Sequence, residues 1–93
     1  MKAKVNLYSE TKGEIQKFLE LFYAKKVEME KDLFWETTYD NPIDMIELMS
    51  CFVDNKDKFK INIWISLDNG VFINVTDDNL DDIIKYIYER FPN

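Results

Sequence analysis

Ala3, Val5 and Leu7 alternate with Lys4, Asn6 and Tyr8 at the start of the chain. That period of two predicts a strand with one wet face. The period then lengthens: Ile15, Phe18, Leu19 and Phe22 recur at i, i+3, i+4 and i+7, with Glu14, Gln16, Lys17 and Glu20 opposite, which predicts an amphipathic helix. Thr11 and Glu14 have the spacing of a capping box. Lys25 and Lys26 follow where cations complement the carboxyl end of the helix dipole. Leu33 to Tyr39 is aromatic and β-branched and reads as a strand, with Val27 to Met29 as a candidate short partner.

Asn41 before Pro42 is an N-cap followed by proline at the first helical position, opening a second helix that runs to about Val53. At 100° per residue, Met45, Ile46, Leu48, Met49, Phe52 and Val53 cover an arc of about 160°, wide enough for deep packing. Asp44, Glu47, Ser50 and Cys51 share the other side. Met45 and Met49 are read as core rather than as a binding groove.

From Phe59 to Thr76 the pattern is that of a hairpin. Phe59, Ile61, Ile63, Ile65 and Leu67 form one face and Val71, Ile73 and Val75 a matching one. A two-residue Asn69-Gly70 turn would set Ile65 against Asn74 and Trp64 against Val75. A three-residue Asp68-Asn69-Gly70 loop, with Gly70 in the left-handed region, sets Ile65 against Ile73 and Ile63 against Val75. The second register is preferred, since a slip of one residue wets a whole apolar face. A last helix is predicted from about Leu80 to Phe91, with Leu80, Ile83, Ile84, Ile87, Tyr88 and Phe91 on one side and Pro92 as its stop.

These elements describe one α+β domain over residues 1–93. With the short strand counted, the first six elements follow a ferredoxin-like βαββαβ with an added strand and helix; without it, the order is that of a thioredoxin-like βαβαββα. Lys60, Asn62, Trp64 and Ser66 alternate cleanly with the apolar set, whereas a sheet covered on both faces has apolar strands throughout. A two-layer sandwich is therefore expected, with a mostly antiparallel sheet, three helices on one face and the other face open.

Composition removes chemistry more than it adds any. The 93 residues contain no histidine and a single cysteine. Ser-His-Asp triads, Cys-His pairs, imidazole metal sites and CxxC couples are excluded. No Gly-rich phosphate loop or nucleophile elbow is present, so neither a catalytic residue nor a cofactor or metal is assigned and a non-enzymatic role is expected. Cys51 has Asp44, Glu47 and Asp54 as helical neighbours, which disfavour its thiolate. Asp77, Asp78, Asp81 and Asp82 read as helix-start acids rather than as a cation site, with Lys85 four residues after Asp81.

The net charge of −6 is uneven, +2 over residues 1–31 and −8 over residues 32–93. An acidic body disfavours nucleic acid as a partner, although Lys2, Lys4, Lys58 and Lys60 flank the sheet. No apolar run reaches the length of a membrane span, and a cytoplasmic location is expected.

The surviving candidate is the wet sheet face. Trp64 opposes Asn74 and lies diagonal to Phe72, and Tyr8 and Asn62 are expected beside them. Large rings on a face that should be polar mark a contact surface for a protein partner or a second copy. The expected role is that of a small binding or regulatory protein using this face or an exposed hairpin edge. Two alternatives stand beside it: an inhibitor or immunity-type protein with an acidic surface, and a small-molecule sensor with a pocket between sheet and helices.

Overall fold

A computed structural model describes residues 2–67 and 70–91. In chain order it contains β1 (Ala3–Tyr8), α1 (Glu14–Tyr23), β2 (Phe34–Tyr39), a 3-10 turn (Pro42–Asp44), α2 (Met45–Asp54), β3 (Asn62–Ser66), β4 (Phe72–Asn74) and α3 (Leu80–Arg90). The four strands form one antiparallel sheet in the order β2-β1-β3-β4. This is an α+β two-layer sandwich.

Val27 to Met29 does not form the candidate strand, so the element order is βαβαββα and the ferredoxin-like βαββαβ order is not made. The reason lies in side chains of the preceding helix. Gln16 Nε2 donates to the Val27 carbonyl at 2.9 Å, and the Val27 N–H donates to Glu20 Oε2 at 3.1 Å. Side chains of α1 thus occupy the backbone groups that a ladder would need. The same ties steer the connection between α1 and β2. A right-handed crossover would leave β1 and β2 parallel. Here residues 24–33 climb back beside α1 to the Tyr8 end of β1, and β2 descends antiparallel, with Tyr8 opposite Phe34 and Ala3 opposite Tyr39.

Strand alternation places Val5, Leu7, Ile63 and Ile65 on the helix side, all with no exposed surface. They pack with Ile15, Phe18 and Leu19 of α1, Met45, Leu48, Met49 and Phe52 of α2, and Ile83 and Ile87 of α3 in one buried cluster. The arc read for α2 holds, with Ile46 and Val53 half-buried at its margins. In α3 the inner ring is Tyr86, half-buried with Arg90 over it at 5.0 Å; Tyr88, expected inside, is exposed.

The hairpin has the three-residue register: Trp64 opposite Asn74, Ile65 opposite Ile73 and Ser66 opposite Phe72. The Val75 N–H donates to the Ile63 carbonyl at 2.9 Å. Gly70 has φ +76 and donates its N–H to the Leu67 carbonyl, also at 2.9 Å. Asp68 and Asn69 of the expected loop, and the expected stop Pro92, lie outside the described residues. Val71 is half exposed at the tip and not tucked against the core as its spacing suggested.

Two of the three helix starts differ from expectation. Asn41 caps as read, its Oδ1 accepting from the Ile43 N–H at 3.0 Å, with Pro42 opening a 3-10 turn before α2. The Thr11–Glu14 capping box does not form. Ser9 Oγ instead accepts from the Thr11 N–H at 3.0 Å and donates to the Lys60 carbonyl at 2.6 Å. Glu14 reaches across to accept from the Lys60 N–H, and Gly13 enters α1 with φ +87. Lys25 and Lys26 lie beyond the last turn of α1, which contains no basic residue. At α3 the aspartates supply first-turn charge through Asp81 and Asp82, but the side chain closing the turn is Asn79. Its Oδ1 accepts from the Thr76 N–H and its Nδ2 donates to the Asn74 carbonyl, each at 2.8 Å.

Candidate interaction surface

The face of the sheet away from the helices is built by the other half of each strand: Lys4, Asn6 and Tyr8 from β1, Phe34, Glu36 and Thr38 from β2, Asn62, Trp64 and Ser66 from β3, and Phe72 and Asn74 from β4. All five residues singled out from the sequence lie on it. Tyr8, Trp64 and Phe72 are 43%, 37% and 57% exposed and line a shallow depression of about 480 Å³. Tyr8 stands opposite Asn62, and Trp64 stands opposite Asn6 and Asn74 on its two sides.

Not all five are equally free. Asn62 is exposed, whereas Asn74 is half-buried and donates its Nδ2 to the Ile63 carbonyl at 3.0 Å. Asn74 therefore stiffens the hairpin beneath Trp64.

Phe34 belongs to the same surface and escaped the sequence reading. Its ring centroid lies 5.1 Å from that of Tyr8, tilted by 50°, and Lys31 Nζ sits 5.8 Å above it. In Phe34-Trp35-Glu36-Thr37-Thr38-Tyr39 aromatics fall on both parities, so alternation could not say which ring faced out.

Asn6 is the second residue missed. It lies at the centre of the open face but is only 2% exposed, and its Oδ1 is buried without a hydrogen-bond partner. An unsatisfied buried acceptor costs about 1–3 kcal/mol. Asn6→Val, which suits a central strand, is expected to raise stability by about 1 kcal/mol, read as a higher urea midpoint at unchanged slope. A fall of similar size would mean that the amide holds the face together.

Charge on this surface is sparse, and besides Lys31 over Phe34 it comes from one pair. Lys4 and Glu36 are the charged strand residues facing this way, and they pair across β1 and β2 at 3.4 Å. Asp44, Glu47, Asp54, Asp57, Asp77, Asp78, Asp81 and Asp82 all lie in the helices and turns of the other layer. Asp77 pairs there with Lys56, which holds its carboxyl below the usual range. Among the described residues no group of three or more acidic or cysteine side chains is placed to hold a metal ion.

The remaining reactive groups lie elsewhere. Cys51 is half-buried against the core, and burial pushes its thiol up more than Asp54 does; Asn55 Nδ2 donates to its Sγ at 3.7 Å. Of the carboxylates expected around it, Asp54 acts on the thiol. Tyr39 on β2 is pushed well above the phenol range by burial and by the neighbouring Tyr23. Neither group opens onto the depression at Trp64. Among the described residues no helix is long and apolar enough to cross a membrane.

No protein-family model, no curated protein and no solved structure matches this chain.

Proposed function

We propose that this protein is a non-enzymatic binding or regulatory protein that works through a protein contact on the open sheet face, centred on Trp64. The observation that carries this reading is the exposed set of Tyr8, Trp64 and Phe72 around one shallow depression, on a face whose strand charges are already paired. Aromatic rings are the residues that dominate contact energies when water is excluded from around them. A surface with few charges and with amides at its edges favours an apolar, shape-matched partner. The acidic helical layer would serve the inhibitor-type alternative, but its clearest ion pair, Lys56 with Asp77, is already made within the chain.

Capture from a lysate of the source cells tests this reading, with wild type and Trp64→Ser run side by side. Trp64 is partly solvated, so the substitution is expected to cost about 1 kcal/mol of stability or less. A partner held by wild type is expected to be lost from Trp64→Ser while the melting temperature falls by no more than about 8 °C. Equal retention of the same partner by both proteins would contradict the reading.

A further inference from the structure

The sheet has two edges, and they are not alike. β4 is three residues long, whereas β2 runs for six, Phe34–Tyr39, with no proline, lysine or glycine in it. Short strands, charged side chains and prolines are the usual guards against edge pairing; the one charge in β2, Glu36, is paired with Lys4 of the same chain. The Ser9 N–H donates to the Leu33 carbonyl at 3.1 Å, which fixes the phase of the ladder. Leu33, Trp35, Thr37 and Tyr39 turn their backbone groups toward β1, and Phe34, Glu36 and Thr38 turn theirs outward. Among the described residues no backbone hydrogen bond reaches those outward groups.

We infer that β2 pairs antiparallel with β2 of a second copy of this chain about a two-fold axis at Thr37, joining two sheets into one of eight strands. This surface is separate from the depression at Trp64. The choice of occupant rests on self-complementarity, which an isologous contact requires. An axis at Glu36 sets two carboxylates against each other, and an axis at Thr38 sets Glu36 against Asp40. An axis at Trp35 leaves Thr38 and Tyr39 unpaired. With the axis at Thr37, Thr37 meets Thr37 of the second copy, Glu36 meets Thr38, Trp35 meets Tyr39 and Phe34 meets Asp40. Thr37 with Thr37 and Trp35 with Tyr39 are favourable cross-strand pairs, and no pairing sets like charges directly opposite. Trp35 and Tyr39 are both half-buried on the helix side, so the ring pairs formed twice across the axis cover surface that one chain leaves open.

One cation is available to the second copy: Lys31 lies over the Phe34 ring, beside a cleft of about 330 Å³ whose lining also includes Glu28, Glu30 and Glu36. Asp40 of the second copy, on the same side of the sheet as Phe34, arrives there and meets Lys31. A single strand pair with four rings lies at the small end of stable interfaces, so the dimer is a concentration-dependent one.

Light scattering over a wide concentration range is the test, and wild type is expected to rise from one chain toward two. Thr38→Pro removes an outward N–H in each copy and leaves the β1 ladder intact. It is expected to raise the dissociation constant at least about thirtyfold, two main-chain hydrogen bonds being lost per dimer. Independently of how that variant folds, Thr37→Cys in a Cys51→Ser background is expected to cross-link as a dimer under mild oxidation. Opposed residues of such a non-hydrogen-bonded pair have Cα atoms about 4.5 Å apart, within disulfide range. Cysteine at 36 or 38 is expected to cross-link far less, because neither faces itself. A wild type that stays monomeric, a dimer unaffected by Thr38→Pro, or cross-linking that ignores position would overturn the inference. A dimer lost in Trp64→Ser but kept in Thr38→Pro overturns it while leaving the open-face reading standing.

Discussion

Phe18→Ala is expected to destabilise the protein by about 3–5 kcal/mol, a large share of the roughly 5–15 kcal/mol that holds a domain of this size together. Phe18 has no exposed surface and joins the layers at one point. Its ring stands edge-on to Phe52 of α2 with centroids 6.0 Å apart, and to Phe59, on the approach to β3, at 5.7 Å. Truncation removes both ring contacts and leaves a cavity that neither the sheet nor the two helices can close without moving as units. Urea denaturation measures the loss directly. A change below about 1 kcal/mol would mean that α1 packs loosely on the sheet, against the buried cluster described above.

The second large effect contrasts two neighbours on β3. Ile63 is fully buried on the helix side, and Asn62 beside it is exposed on the open face. Ile63→Asp places a carboxylate among Val5, Leu7 and the helices with no cation to pair it, and a loss above about 4 kcal/mol is expected, enough to unfold much of the population. Asn62→Asp is expected to stay within about 0.5 kcal/mol of wild type. Circular dichroism with urea titration reads both. Similar tolerance at the two positions would contradict the assignment of the faces, and with it the claim that Trp64, two residues from Asn62, is offered to solvent.

Where period and side-chain type agree, the chain could be read without its structure. The hairpin register followed from one comparison of turns, because Ile63, Ile65, Ile73 and Val75 have the same polarity on the same parity. The class of fold followed from the polar parity of β3, Trp64 and Phe72 followed from that register, and Tyr8 followed from the alternation of the first strand. Reading ran out where partners are distant in sequence. Nothing local says that Glu14 reaches Lys60 instead of capping its own helix, or that Gln16 and Glu20 occupy the backbone of Val27 and prevent a strand there. Strand order was equally invisible, since it depends on which way residues 24–33 return. β2 then became an edge, and Phe34 and the outward groups of Glu36 and Thr38 acquired meaning that their sequence alone lacks. Asn6 was hidden for another reason: a polar residue on a wet parity is expected to be solvated, and only its place between two neighbouring strands buries it.

The two surfaces fit together. Pairing through β2 would leave both Trp64 depressions on one continuous face, so a partner could meet two copies of the same aromatic set. Edge pairing and face binding nevertheless act through different atoms, backbone groups in one and ring faces in the other, and can be separated by substitution.

The proposal that function lies on the open face is tested most directly by hydroxyl-radical footprinting of the protein alone and in complex with the partner that wild type captures. Oxidation of Tyr8, Trp64 and Phe72 is expected to fall on binding, while that of Leu21 and Tyr88, exposed on the helical layer, stays unchanged. Protection of Leu21 and Tyr88 with Trp64 left fully reactive would contradict it.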